Sequence, residues 1–193
     1  MRCFQFFGAR TWSAAVLCEA PIIGWLPSIQ GGQALFDDFH RNWWTAAAKA
    51  FEIGGEERAL QITIDWWEAQ EAVFNGEPLS WSRSPGDFRQ LLKDNVNDLR
   101  AMVMSSDAFP GPSREEVNRT DCPILLLSGE RTIPVHRLID AELERTFKRC
   151  HRIMIQDAGH GMWAEQPDAC RRQAMEFFRG VSEGGHASGA IGR

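Results

Sequence analysis

Tyrosine is absent from the sequence, although Trp and Phe occur 8 and 12 times. No tyrosine hydroxyl can therefore act as an acid, a nucleophile or an oxyanion donor in a site that this sequence forms. An excess of basic residues is absent too, because 21 Lys and Arg stand against 26 Asp and Glu and the formal net charge is -5. Without a basic patch, nucleic acid is not an expected partner.

Cysteine occurs in an odd number, and the C-x-x-C spacing of metal and redox sites is missing. The five cysteines are Cys3, Cys18, Cys122, Cys150 and Cys170. This pattern indicates free thiols and a reducing, cytoplasmic environment. The histidines do not pair with cysteines at ligand spacing either, since the adjacent Cys150 and His151 suit neither a zinc knuckle nor a helical ligand pair. We therefore predict no metal site.

Long hydrophobic runs are also missing. No apolar segment reaches the roughly 20 residues that a membrane-spanning helix needs, so we expect no membrane partner. The N-terminal stretch is fairly apolar, but Arg10 interrupts it and Glu19 follows, which makes a signal peptide a weak interpretation. With 193 residues, 44% of them hydrophobic and 24% charged, the composition is that of one globular domain with a buried core.

The last third of the sequence alternates between short apolar runs and amphipathic segments. Residues 123–128 (PILLLS) form a continuous apolar run, typical of a central parallel strand that is buried on both faces. A helix is predicted over residues 135–147, a second strand over 152–155 and a last helix over 164–179. An earlier apolar run at residues 14–18 predicts a further strand. This alternation indicates an α/β fold with a parallel sheet and right-handed crossovers.

The middle of the sequence has helical spacing instead. Apolar residues recur at helical intervals over residues 34–51, 56–74 and 84–102, which predicts three helices. Glycine pairs and the Asn75-Gly76 dipeptide mark the ends of the first two. Residues 109–113 (FPGPS) form the clearest internal boundary.

Chemically useful side chains follow the predicted strands. Side chains at the carboxyl ends of parallel strands form the sites of such sheets. His160 follows one strand, Gly129 to Thr132 follow another, and Glu19 follows the third. A loop histidine flanked by Gly159 and Gly161 can be held rigidly while facing a cleft. In isolation such a histidine is better explained as a helix cap or a backbone-bonded loop residue.

Two segments together resemble a known family. Residues 122–131 (CPILLLSGER) and 157–168 (DAGHGMWAEQPD) are similar to the closing segment of α/β-hydrolases, where a strand ending in Gly-Glu is followed by a helix and a strand leading to an Ala-Gly-His motif. The resemblance covers residues 119–180. Residues 14–23 are similar to the preceding core strand, and residues 28–112 correspond in position to the variable helical cap.

The resemblance implies a partial α/β-hydrolase fold with few parallel strands and a helical cap. The expected organisation has five parts: an atypical N-terminal segment (1–13), a core strand (14–23), the helical cap (28–112), a C-terminal α/β core with the histidine loop (113–180) and a disordered Gly/Ser-rich tail (181–193).

The family pattern implies that His160 is the general base, which deprotonates a serine or water and then protonates the leaving group. Many relatives carry an aspartate three residues after the strand glycine, but Thr132 stands there and cannot oppose an imidazolium. Haloalkane dehalogenase-like members place the acid at the end of the earlier strand, where Glu19 lies. We therefore predict Glu19 as the orienting acid. Glu130 and Asp157 are alternatives, more typical of a strand-end ion pair and a loop cap.

The family's G-x-S-x-G nucleophile elbow is missing from the sequence. Ser105 and Ser106 end a predicted cap helix, and Cys18 is interpreted as a buried strand residue, so neither position predicts a nucleophile. We expect the sequence to represent the C-terminal part of a hydrolase whose N-terminal half carries the nucleophile. The chain alone is then of uncertain enzymatic competence.

The implied substrate is a small ester, lactone, epoxide or cleavable ketone, and the implied chemistry needs no cofactor. Five tryptophans are candidates to line the pocket: Trp43, Trp44, Trp66, Trp67 and Trp81. An alternative interpretation is a non-catalytic remnant, or an interaction module that uses the cap helices and an exposed sheet edge, which would also permit a homo-oligomer. A small helical protein unrelated to hydrolases is a third interpretation.

Overall fold

A computed structural model describes residues 13–74, 76–106, 109 and 111–187, and the structural statements below concern these residues. The predicted N-terminal segment lies outside them except for Ser13. The strands are β1 (Ala15–Cys18), β2 (Val73–Phe74), β3 (Glu77–Pro78), β4 (Ile124–Gly129) and β5 (Cys150–Ile155).

The helices precede, separate and follow these strands. The α-helices are α1 (Gly32–Asp38), α2 (Ala46–Glu52), α3 (Glu56–Ala69), α4 (Gly86–Asp94), α5 (Val96–Val103), α6 (Arg114–Asn118), α7 (Pro134–Thr146), α8 (Met162–Glu165) and α9 (Pro167–Ala187). A 3₁₀-helix spans Ile23–Ser28, and a π-helix spans Phe39–Thr45 between α1 and α2. Within the described ranges, no helix combines the length and apolar character that crossing a membrane requires.

The main sheet is parallel and has the order β1-β4-β5. Its central strand β4 is buried along its whole length, as the continuous apolar run predicts. Ile124 and Leu126 pack into the cluster that α7 and the cap helices share, whereas Leu125 and Leu127 pack with Met162 and the start of α9. Apolar residues on both faces of one strand explain why its sequence does not alternate.

The cap differs in detail from the three predicted helices. The first is one helical stretch from α1 to α2 with a π-helical segment in its middle. The third is divided at Asn95, whose side-chain amide donates to the Leu91 carbonyl and so favours termination of α4 before α5 begins.

The second predicted helix, over residues 56–74, was too long. The helix α3 ends at Ala69, and Glu71 adopts a left-handed conformation with φ of 59°. Val73 then pairs with Pro78 in the antiparallel β2–β3 pair. The Asn75-Gly76 dipeptide is thus not a helix stop: it stands in the sequence between β2 and β3 and is typical of a hairpin turn. Asn75 itself lies outside the described residues.

The C-terminal helix extends beyond its predicted end. We expected a disordered tail from residue 181, but α9 continues to Ala187; residues 188–193 lie outside the described part. No proline follows Pro167 within α9, and its three glycines, Gly180, Gly184 and Gly185, each cost only about 1 kcal/mol of helix stability. The Ser182 hydroxyl donates to the Phe178 carbonyl within this extension.

A buried carboxyl group joins α7 to the sheet. The Ser128 hydroxyl of β4 donates to Asp140 Oδ2 at 2.5 Å, and Asp140 is fully buried. Burial raises the pKa of Asp140 to about 7, because the single donor does not compensate the desolvation of the charged form. The folded protein therefore holds a proton on Asp140 over a pH range in which the unfolded chain has released it.

We predict that the contribution of Asp140 to stability falls as the pH rises from about 4 to about 7, since its pKa is raised in the folded state and the unfolded chain releases the proton first. The total effect is of the order of 4 kcal/mol. Asp140→Asn keeps an amide oxygen for Ser128 and removes the titration. The difference in unfolding free energy between the variant and the wild type, from urea unfolding at about pH 4 and about pH 8, measures this contribution. The two proteins should differ little at the lower pH, and the variant should be the more stable one at the higher pH.

Asp121→Asn, at an exposed position beside Lys148, is the matched control and should follow the wild-type pH dependence. Parallel pH profiles for wild type and Asp140→Asn would contradict the assignment of this pH dependence to Asp140.

The carboxyl end of β4 lies against the histidine loop so closely that only glycine fits. A Cβ on Gly129 would lie 2.2 Å from the Gly159 carbonyl oxygen and 2.6 Å from that of Ala158. Both contacts are with backbone atoms, which cannot rotate away as a side chain can.

We predict that Gly129→Ala destabilises the protein by about 3 kcal/mol, because the strand and the loop must separate. Gly180→Ala is the control, since a Cβ there meets nothing within 4 Å and should stabilise α9 by up to about 1 kcal/mol. Urea denaturation compares the two; equal unfolding free energies would show that the loop adjusts freely.

Candidate active site

The three predicted strand ends meet at one edge of the sheet. Glu19 directly follows β1, Gly129 closes β4, and His160 lies on the loop after β5. Because β1, β4 and β5 are parallel, their carboxyl ends share an edge, and the structure brings Glu19 into contact with His160 there.

Glu19 is buried and held by three hydrogen-bonding groups. Its Oε1 accepts from the Gly129 backbone N–H at 2.7 Å, and its Oε2 accepts from the Thr132 hydroxyl at 2.7 Å. The same Oε2 lies 2.6 Å from His160 Nδ1. The residue is 2% exposed and has a φ of 44°, a left-handed conformation that costs a non-glycine residue about 1–3 kcal/mol.

The charge of Glu19 follows from these contacts. Burial by itself raises the pKa of this carboxyl, but the hydrogen bond from His160, the electrostatic interaction with His136 and the hydrogen bonds from Thr132 and Gly129 together more than offset burial and lower the pKa below its ordinary value. The side chain is therefore an anion at neutral pH. Since a carboxylate only accepts, the proton of the 2.6 Å contact belongs to Nδ1, and Nε2 of His160 is left as the acceptor.

The loop that carries His160 is fixed by backbone hydrogen bonds. The Gly159 N–H donates to Glu165 Oε2 at 3.1 Å, and the Ala158 carbonyl accepts from the Arg131 N–H at 2.8 Å. The His160 side chain is 45% exposed, whereas that of Glu19 is 1% exposed. The pair therefore consists of a sheltered anion and an imidazole that reaches solvent.

Two further rings flank His160. The His136 ring of α7 stacks on it, with centroids 4.4 Å apart and planes within 6°. Trp67 of α3 lies 5.2 Å from the His160 centroid and 6.3 Å from that of His136. Of the five tryptophans predicted to line the pocket, Trp67 is the one whose ring packs against this histidine.

The other tryptophans serve different contacts. Trp43 and Trp66 are buried and stack on each other at 5.6 Å, and both pack edge-on against Phe39. Trp44 packs beside them on Phe109. Trp81 borders a cavity of about 250 Å³ between α3 and α4 whose lining includes neither Glu19 nor His160. These four rings stabilise the cap rather than surround the histidine.

Glu130 and Asp157, the alternative acids, tie two loops together. Glu130 Oε2 accepts from the Asp157 N–H at 3.0 Å, and Asp157 Oδ1 pairs with Arg131 at 2.5 Å. Asp157 has a φ of 56° in this turn. Their hydrogen bonds thus position the loop after β5, and Glu19 is the acid beside His160.

Sequence reasoning missed three residues of this site. Thr132 cannot itself be the acid beside His160, but its hydroxyl donates to Glu19, which lies there. His136 and Asp140, four positions apart on α7, are both buried polar residues on one helix face. A His-x-x-x-Asp spacing among apolar helix positions was the available signal, because buried titratable side chains need a specific reason.

Cys18 ends β1, and its side chain favours the thiol form over the thiolate. Burial raises the pKa of Cys18 above its ordinary value, and its sulfur accepts from Trp163 Nε1 at 3.1 Å. A raised pKa disfavours the thiolate that nucleophilic attack requires.

Donor atoms of Glu19, His136 and His160 all lie within 4.8 Å of one another, a distance compatible with a metal site. The ring orientation argues against one. Imidazole lone pairs lie in the ring plane, and two stacked rings only 6° from parallel hold their lone pairs in two separate planes, so one ion cannot lie in both. Glu19 Oε2 is also already engaged by Thr132 and His160. The arrangement fits a hydrogen-bonded pair with a stacked neighbour.

Comparisons with known proteins find similarity in structure only. The sequence matches no protein-family model and no curated protein. Two examples illustrate the solved structures that resemble the chain. VinJ is 11% identical over 88% of this chain, with a TM-score of 0.54, and a proline iminopeptidase from Mycobacterium smegmatis is 13% identical over 90%, with a TM-score of 0.53.

The chain spans 58% of the length of each of these two structures. At such low identity the likeness concerns the fold alone, and it agrees with the parallel β1-β4-β5 sheet and its helical cap. The fold expected from the closing motif is confirmed: the described residues form a partial α/β-hydrolase fold.

Proposed function

We propose that the chain supplies the histidine–carboxylate part of a hydrolase active site, with His160 as general base and Glu19 as its orienting acid. The observation that carries the proposal is the 2.6 Å contact between His160 Nδ1 and a buried Glu19 carboxylate. A buried anion beside Nδ1 and an exposed imidazole edge are what base catalysis by histidine requires.

The proposed chemistry uses each nitrogen differently. Glu19 accepts from the Nδ1 proton and so holds His160 in the tautomer whose Nε2 is free to take a proton. Nε2 then removes a proton from a hydroxyl or a water molecule that attacks the substrate, and returns it to the leaving group. While His160 carries two protons, the Glu19 charge stabilises the imidazolium at short range and in a partly desolvated setting.

We assign no described residue as the nucleophile. The two similar solved structures extend beyond the region that they share with this chain. We propose that a serine or aspartate nucleophile, where the reaction uses one, comes from polypeptide outside the described residues, and that His160 activates water directly in its absence.

The proposed substrate is a small ester, with a lactone, an epoxide or a cleavable carbon–carbon bond as related choices. Beside His160 the wall is the Trp67 ring, an apolar surface that suits a short acyl or alkyl group. Proton transfer by His160 and Glu19 needs only side chains and water, so the proposal includes no cofactor.

The free side of β1 supports a second candidate function, an interaction module. Among the described residues β1 pairs with β4 on one side, and all four of its residues are half-buried. An unpaired strand side can add a strand from another chain, including a second copy. A stable monomer without hydrolytic activity would favour a non-catalytic remnant instead.

We predict that the purified chain hydrolyses p-nitrophenyl acetate and butyrate, and that His160→Ala lowers kcat/KM by about 100- to 10,000-fold, the usual contribution of a positioned acid–base group. His151→Ala, at an exposed position on β5, is the matched histidine control and should retain the wild-type rate. Equal rates for wild type and His160→Ala would exclude His160 as the base.

We predict that Glu19→Gln lowers kcat of the same reaction about 100-fold or more, because a neutral amide neither fixes the Nδ1 tautomer nor stabilises the imidazolium. Thr132→Val keeps the Glu19 charge and removes one of its donors, so it should cost only about fivefold to tenfold. Ester assays on both variants, with circular dichroism to verify folding, separate the effect of losing the Glu19 charge from the effect of altering its surroundings. A wild-type rate in Glu19→Gln would remove Glu19 from the proposal.

A further inference from the structure

A second histidine lies flat against His160 and has no part in the proton path. His136 is on α7, near its first turn, and is 5% exposed. Its ring plane is within 6° of that of His160, at a centroid distance of 4.4 Å. By centroid distance, this face-to-face stack is the closest ring contact that His160 makes in the described structure.

The Glu19 hydrogen bond alone does not fix the orientation of the His160 ring. The bond at Nδ1 fixes the tautomer and the position of that nitrogen, but a single bond leaves the ring plane able to tilt about Nδ1 and Cβ. Such a tilt changes the direction in which Nε2 points. With a side chain that is 45% exposed, His160 needs a second constraint to hold one ring plane.

His136 is suited to provide that constraint because it is itself immobile. It packs among buried residues of α7, and Trp67 of α3 stacks on it at 6.3 Å with planes 26° apart. The three rings thus join α7 and α3 to the exposed histidine. The buried His136 ring can therefore restrict the exposed His160 ring while losing little conformational freedom of its own.

The charge state of His136 is compatible with this contact. Burial, followed by the neighbouring His160, lowers the pKa of His136 to about 4, so this ring is neutral at neutral pH. His160 can then accept a proton without facing a second cation. His136 Nδ1 has no hydrogen-bond partner in the described structure, which leaves the face of the ring as the contact that acts on His160.

We propose that His136 is a positioning residue whose buried ring fixes the ring plane of His160 and thereby the direction of Nε2. Its effect on catalysis rests on the proposed function, whereas its effect on the His160 ring does not depend on any reaction.

The primary test is nuclear magnetic resonance of the His160 Nδ1 proton, which is assigned by its loss in His160→Ala. His136→Leu removes the flat ring, and His136→Phe keeps it without nitrogen. We expect this proton to exchange with solvent about tenfold faster in His136→Leu, and within about twofold of wild type in His136→Phe. His40→Leu removes an exposed histidine that stacks on Phe36, and should leave the exchange rate unchanged.

An unchanged exchange rate in His136→Leu would overturn the proposal, as would equally fast exchange in both His136 variants. If His136→Leu does not fold by circular dichroism, His136→Gln replaces it as the variant without an aromatic face. In the ester assay, we expect His136→Leu to lower kcat about tenfold, equivalent to about 1.4 kcal/mol, with KM within about twofold and recovery in His136→Phe. A wild-type protein without ester hydrolysis would refute the proposed function, while the exchange rates still decide the role of His136.

Discussion

The buried Glu19 carboxylate is the constraint on which the sheet edge and the candidate site both depend. A charge that is 2% exposed needs donors, and it receives them from Gly129 at the end of β4, from Thr132 before α7, and from His160 after β5. Loss of one donor leaves a buried anion incompletely satisfied, which is costly in a medium of low polarity. The hydrogen bonds of Glu19 therefore both connect the ends of β1, β4 and β5 and fix the position of His160.

A second buried carboxyl, Asp140, shows that the number of donors decides the charge. Glu19 has three hydrogen-bonding groups and a pKa below its ordinary value, whereas Asp140 receives one hydrogen bond from Ser128, its Oδ1 has none, and burial raises its pKa to about 7. Below about pH 7 the two acids, which bond to the adjacent residues Ser128 and Gly129 of β4, thus hold different protonation states. A charged Asp140 would repel the Glu19 anion. Because Asp140 is neutral when it holds its proton, this repulsion does not act on Glu19.

The three strands of the main sheet and the Glu19–His160 contact could be predicted because they depend on local pattern and topology. Apolar runs give the strands of the sheet, and parallel strands bring the residues that follow them to one edge. The hydroxyl donor role of Thr132 and the stack of His136 could not be predicted, since the first depends on the conformation of the turn between β4 and α7 and the second on the rotation of α7 about its axis. The early end of α3 was missed for a similar reason: Val73 has a helical position in the sequence pattern, but pairing with Pro78 decides its conformation.

The described groups that hold Glu19 and His160 lie on or beside β1, β4, β5, α3 and α7, within a chain that spans 58% of the length of VinJ and of the proline iminopeptidase. Among the described residues, β1 pairs with β4 on one side and with no strand on the other. A further parallel strand added on that side would end at the same edge as β1, next to Glu19. A residue that follows such a strand would therefore lie at the sheet edge that also carries His160, because parallel strands bring their carboxyl ends to one edge.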